Sequence, residues 1–275
     1  MYTREDREGA MGEVSYYVQS EDEIIEQRRQ AYEHLSQYAA NRNNWYKDRT
    51  KINLSRLLQK DVVMFAARGI TTSSEFVVEA FHACESSSEE TVMGSTWQAI
   101  VTAISSNTLD TGDMMTVRDG ALYVCELKSQ TNTTNAASFP QELRELKDKC
   151  EAQKRFKRAS NQPVLPAFCV LKEKKAIDEV RTYHANDRDT ANKDIDGFEY
   201  RYLAGSSFWR WLTGFDSVEG LIDDLSMIHI GDTVTARSAC LERLQHDMKT
   251  ALQEHGLEET IYGVLCLKRI KHMGA

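Results

Sequence analysis

The stretch "TVRDGALYVCELKS", residues 116–129, limits the fold of this chain more than any other. Asp119-Gly120 is a strong hairpin signal, because a two-residue turn needs two positions that accept positive φ. Residues 114–117 and 121–128 then read as its paired strands. Side chains alternate along a strand, so Leu122, Val124, Glu126 and Lys128 share one face and Ala121, Tyr123, Cys125 and Leu127 the other. Both faces are apolar up to Glu126. Such a strand must be covered on both sides, which points to a central position in an α/β or α+β core with added helices.

The rest of the chain supplies those helices. Residues 21–48, rich in Glu, Gln, Arg and Ala, carry a helical pattern. Residues 53–69 read as a second helix, capped by Asn53 and stopped by Gly69. Residues 72–85, capped at Ser73 or Ser74, and 86–105, capped at Ser87 or Ser88, read as a third and a fourth. Helix is expected again over 139–160, 206–214 and 237–256, and strands over 163–172 and 197–205. Pro163 and Pro166 favour a sheet-edge environment for the first half of the 163–172 strand.

Several classes are excluded. No apolar run approaches the length of a membrane span, and the charged start "MYTREDREGA" lacks the apolar middle of a secretory signal, so a soluble, cytoplasmic protein is expected. The six cysteines form no CxxC pair and are expected as reduced, buried thiols. There is no phosphate-binding G-x-x-x-x-G-K-[ST] loop and no HExxH pair. A net charge of −8 argues against a wholly basic surface, yet residues 141–175 hold ten basic against five acidic side chains. That stretch is either a solvated helix face or a phosphate-binding stripe. Phe208, Trp209 and Trp211 are expected to pack rather than to stack on bases, and the acidic run His184, Asp187, Asp189, Asp194, Asp196 fails calcium-loop spacing.

Against this background Glu126 and Lys128 stand out. An unpaired carboxylate on a strand buried on both faces costs several kcal/mol, on the order of a desolvated ion. Either the two form a salt bridge at the strand's end, or they belong to a metal site with Asp113, which begins the preceding strand. Two carboxylates and a strand carbonyl make an oxygen-only pocket suited to Mg²⁺ or Mn²⁺. Glu-x-Lys alone is weak, recurring about once by chance in an average composition of this length. Glu145-Leu146-Lys147 repeats it inside a helix, where residues two apart point about 200° apart. Glu173-Lys174-Lys175 lies in a charged turn with no aspartate on a preceding strand.

Asp113, a spacer holding a hairpin turn, and Glu126-x-Lys128 resemble the motif of the PD-(D/E)xK nuclease superfamily. The flanks "SSSEETVMGSTWQ" (86–98), "ELKSQTNTTN" (126–135) and "FEYRYLAGSSFWRWLTG" (198–214) resemble type II restriction endonucleases, and the likeness spans residues 50–215. Two positions depart from the pattern. Gly112 stands where the superfamily carries proline, and Gln98 stands where a helix glutamate often completes the site, leaving Glu89, Glu90 and Gln98 as candidates for that group.

The resemblance implies an α/β fold: a restriction-endonuclease-like central mixed sheet flanked by helices, with added N- and C-terminal helical segments. It divides the chain into a helical extension (1–50), a nuclease core (51–230) and a C-terminal helical segment (231–275), or leaves it as one domain. It further implies hydrolysis of double-stranded DNA at a specific sequence, with Asp113, Glu126 and the Leu127 carbonyl holding Mg²⁺ (Mn²⁺ substituting) and Lys128 orienting the attacking water. Ser129, Gln130, Thr131, Asn132 and Asn135, a polar loop that could equally be a solvated turn, and Lys147, Lys154, Arg155, Lys157 and Arg158 become the DNA-contact candidates. A homodimer and a cognate DNA methyltransferase are the implied partners. Two rivals remain: a structure-specific repair or phage-defence nuclease, and a non-catalytic DNA-binding or scaffold protein whose Glu126–Lys128 pair is only structural.

Overall fold

A computed structural model of the protein describes residues 19–105, 107–108, 114–130, 138–156, 162–185 and 190–273. The chain divides into two compact units, one of Met1–His34 with Ser95–Leu225, the other of Leu35–Gly94 with Ser226–Ala275. No helix among the described residues is long and apolar enough to cross a membrane.

The first unit is built on a six-stranded mixed sheet: β1 (Asn107–Thr108), β2 (Met114–Arg118), β3 (Ala121–Gln130), β4 (Val164–Lys172), β5 (Ile177–Thr182) and β6 (Glu199–Ala204). Its order is β1-β2-β3-β4-β6-β5. The β1–β2, β2–β3 and β5–β6 pairs are antiparallel, whereas β3–β4 and β4–β6 are parallel. The expected hairpin is present, pairing Arg118 with Ala121 and Met114 with Cys125 across a turn in which Asp119 and Gly120 both take positive φ, 53° and 75°. β3 is central and buried without a break from Ala121 to Leu127, as its two apolar faces require.

A parallel β3–β4 pair needs a crossover, and helix α5 (Phe139–Phe156) supplies it. The helices preceding it in the chain are α1 (Glu21–Lys47), α2 (Leu54–Leu58), α3 (Val62–Ala67) and α4 (Ser73–Ile104). Leu143, Leu146 and Cys150, at helical spacing, form the buried stripe of α5; Leu146 and Cys150 pack with Leu122, Val124 and Val164. Burying each leucine contributes about 1.5–3 kcal/mol. The even-numbered face of β3 therefore looks toward α5. On the odd-numbered face Tyr123 meets Trp211 of α6 (Ser206–Thr213), ring centroids 5.2 Å apart, and Arg118 donates to the Leu212 carbonyl at 2.9 Å. Phe208, Trp209 and Trp211 are all buried, in keeping with a packing role.

The first half of β4, with Pro166, pairs only with β3; pairing to β6 begins at Ala167. Proline's missing donor is tolerated there for that reason. β5 was not anticipated. Its residues "IDEVRT" are mostly exposed and show no apolar alternation, so only pairing with β6 reveals it as an edge strand, with Arg181 stacked 3.6 Å over Tyr202.

The second unit is helical. Its core includes Phe65, Phe76, Phe81, Leu244 and Met248, and it contains α2, α3, α7 (Thr233–Glu254), α8 (Ile261–Met273) and parts of α1 and α4. Two sequence expectations fail here. The single helix over 53–69 is broken into α2 and α3, because the Asp61 side chain accepts from the Val63 and Met64 amides (3.0 and 3.2 Å) and starts a new helix. Conversely, the helices expected over 72–85 and 86–105 are one 32-residue helix, α4. Its N-terminal cap is Thr72, which exchanges bonds with Glu75 in a capping box, rather than Ser73 or Ser74. Ser87 and Ser88 interrupt nothing: Ser88 Oγ accepts from Arg42 of α1, and neighbouring Glu85 is fixed by Arg237.

Candidate active site

The unusual charges at the end of β3 are held by helix α5. Glu126, 9 % exposed, places Oε1 at 2.9 Å from Lys128 Nζ. The same ammonium lies 3.0 Å from Oε1 of Glu142, in the first turn of α5. Lys149, two turns further along α5, places its Nζ 3.6 Å from the other oxygen of Glu126. Two carboxylates and two ammonium groups thus alternate along one chain of contacts.

Each position follows from the elements below it. Strand alternation puts Glu126 and Lys128 on the face toward α5. In α5, Glu142 and Lys149 flank the apolar stripe Leu143–Leu146–Cys150 that seats the helix on β3 and β4. Burial pulls the Lys128 ammonium down, but its hydrogen bonds to Glu126 and Glu142 outweigh that and hold it above the ordinary lysine range. Lys149 has the looser contact, and burial holds it below that range. Lys128 is therefore held as a cation between the two carboxylates.

Gln98 touches the same strand. From α4 its Nε2 donates to the Leu127 carbonyl at 3.1 Å, so a neutral amide orients the strand carbonyl next to Glu126. Asp113 lies outside the described residues; it directly precedes Met114, whose strand partner, Cys125, directly precedes Glu126. Among the described residues no group of three or more His, Cys, Asp or Glu is arranged to hold a metal. The Glu126 carboxylate and the Leu127 carbonyl, neighbours on β3, both offer oxygens, the type that hard divalent cations prefer.

A model of the family described as Type II restriction endonuclease EcoO109I matches residues 27–225, more than half of the chain. The chain belongs to that family. No curated protein matches it. Membership in the EcoO109I family makes the protein a nuclease of the restriction type, and its mixed sheet between helices is the restriction-endonuclease-like fold that the motif implied.

The other sequence candidates are distributed as follows. Glu89 is ion-paired with Arg42 at 3.5 Å, and Glu90 is exposed. Ser129 and Gln130 end β3 in increasingly open positions, while Thr131, Asn132, Asn135, Lys157 and Arg158 lie outside the described residues. Lys147 donates to the Asp194 carbonyl, Lys154 pairs with Glu151 at 2.7 Å, and Arg155 is exposed. Asp194 of the acidic run is bound by Arg144 of α5 at 2.6 Å. Glu142 and Lys149 escaped the sequence reading. The available signal was their seven-residue spacing beside an apolar stripe in the helix that follows the Glu-x-Lys strand.

Proposed function

We propose that this protein is a type II restriction endonuclease that cuts double-stranded DNA at a specific sequence, using Glu126, Lys128 and Asp113. The observation that carries the reading is the Lys128 ammonium at the end of the central strand, 2.9 Å from Glu126 and 3.0 Å from Glu142. A purely structural strand-end salt bridge needs neither a second carboxylate nor a second lysine beside it.

Glu126, Asp113 and the Leu127 carbonyl would hold Mg²⁺, with Mn²⁺ substituting, and both fit an oxygen-only donor set. When bound, the cation supplies Lewis-acid polarisation of the scissile phosphate and of the attacking water. The remaining work falls to the chain. Lys128 donates hydrogen bonds to the water and to the phosphate oxygens as their charge grows, the kind of fixed donor that stabilises a transition state. Gln98 keeps the Leu127 carbonyl aimed, taking the place of an acidic helix residue. Ser129, Gln130, Thr131, Asn132 and Asn135 reach base edges or backbone, and Lys154, Arg155, Lys157 and Arg158 contact phosphates. Cutting both strands requires two sites, which favours a homodimer. A DNA methyltransferase acting on the same sequence would be the functional partner that protects self DNA.

The test incubates plasmid and phage DNA with the protein, with and without Mg²⁺, beside Glu126→Ala and Lys128→Ala. Discrete, reproducible fragments that need Mg²⁺ and vanish in both variants are expected. Cleavage confined to branched substrates would assign a repair function, and binding without cutting in all three proteins would sink the nuclease reading.

A further inference from the structure

We infer that Glu142 is a positioning residue for the reaction: it anchors the Lys128 ammonium when Glu126 is given over to a divalent cation. The inference rests on the active-site reading proposed above. Lys128 is held by two carboxylates from different elements, Glu126 on its own strand at 2.9 Å and Glu142 on α5 at 3.0 Å. A carboxylate that binds a cation cannot keep the same oxygens fully committed to an ammonium. Lysine is a compact charge on a flexible stem, so with Glu126 withdrawn it would swing away unless a second acceptor held it.

Glu142 is placed to be that acceptor. Its side chain is only 17 % exposed, and the helix beneath it is fixed by the fully buried Leu143 and Leu146. It stands in the first turn of α5, where the helix dipole favours a carboxylate. None of these supports involves Glu126. Glu142 also draws Lys128 partly off Glu126, which lowers the competition a cation meets there. Its loss should therefore weaken cation binding and slow the chemical step together, without altering the affinity for DNA.

Two readouts test this: calorimetric titration of the free protein with Mg²⁺, and single-turnover cleavage of plasmid DNA over a range of DNA concentrations. For Glu142→Ala the Mg²⁺ Kd should rise and the maximal rate fall, each by roughly 10–100-fold, as is usual when a group orienting a metal site is removed. The half-saturating DNA concentration should stay unchanged. Glu142→Gln, which keeps an oxygen acceptor for Lys128, should recover most of both losses. In a Lys128→Ala background, Glu142→Ala should cause no further loss of Mg²⁺ affinity, because the group it positions is gone.

The inference is overturned if Glu142→Gln loses Mg²⁺ as severely as Glu142→Ala, which would make Glu142 a direct ligand. It is also overturned if the loss persists without Lys128, or if only Tm or only DNA affinity changes. Should wild type fail to cut, or Glu126→Ala cut as well as wild type, the functional reading falls and takes this inference with it. Should the Glu126 and Lys128 variants be inactive while Glu142→Ala matches wild type in both readouts, the positioning role alone falls.

Discussion

Glu85 and Glu126 are both buried and met by cations, and the two sites are built differently. Glu85, in the helical unit, is gripped by the Arg237 fork at 2.7 and 2.8 Å while Tyr46 donates to it at 2.6 Å. Glu126, at the end of the central strand, meets two lysines at 2.9 and 3.6 Å, one of them shared with Glu142. A guanidinium fork saturates a carboxylate with directed bonds, whereas an ammonium is a point charge that can move. Burial, followed by the Glu85 contact, pushes the Tyr46 hydroxyl up to about 12, so it remains a donor at any working pH. The Glu85 arrangement is a fixed joint. The Glu126 arrangement neutralises a charge with ammonium partners that are free to move.

The sharpest way to break this comparison is through Glu126. Glu126→Ala should lower DNA cleavage by on the order of 10²–10³-fold or more, the scale of losing a main electrostatic group, while thermal melting changes little. A collapse of the fold would mean that Glu126, too, is a structural joint. The converse experiment uses Arg237→Met, which leaves Glu85 without its fork. It should cost about 1–3 kcal/mol of unfolding free energy by denaturant titration, with cleavage per folded molecule unchanged.

Acid titration separates the two further. Burial raises the Glu85 carboxyl, but Arg237 and Tyr46 outweigh it and hold the group below the ordinary carboxylate range. Its stabilising contribution is therefore present above the unfolded value, about 4.3, and is lost as pH falls through the lower folded value. Stability measured down through this window should fall less steeply in Arg237→Met than in wild type. The smallest effect belongs to the exposed Lys154–Glu151 pair, 2.7 Å apart with both side chains half exposed. Lys154→Ala should shift stability by less than about 0.5 kcal/mol. If the basic side chains at the end of α5 contact phosphate, the same variant should weaken DNA binding and reduce its salt slope by about 1.

Much of the sheet unit is legible in the sequence alone. The Asp119-Gly120 turn, the two-sided burial of β3 and the helical state of α5 rest on local patterns, which act within a few residues, whereas the crossover role of α5 follows from the parallel β3–β4 pairing. Helix ends in the other unit were read less well. The serines at 86–88 have the chemistry of caps but lie mid-helix, because tertiary contacts at Glu85 and Ser88 outweigh local preference. β5 carried no periodic signal, since an exposed edge strand has no buried face to mark it.

By itself the sequence determined that Glu126 and Lys128 point the same way and that the strand bearing them is covered on both sides. The reason is that any chain in the extended strand conformation alternates its side chains between two faces. Only the tertiary structure decided what meets those two groups. Gln98 reaches the Leu127 carbonyl across 29 residues of chain, and Glu142 and Lys149 come in from a helix whose seating depends on Leu143, Leu146 and Cys150 packing against the sheet. Side chains far apart in sequence converge only after that apolar burial has fixed helix against strand.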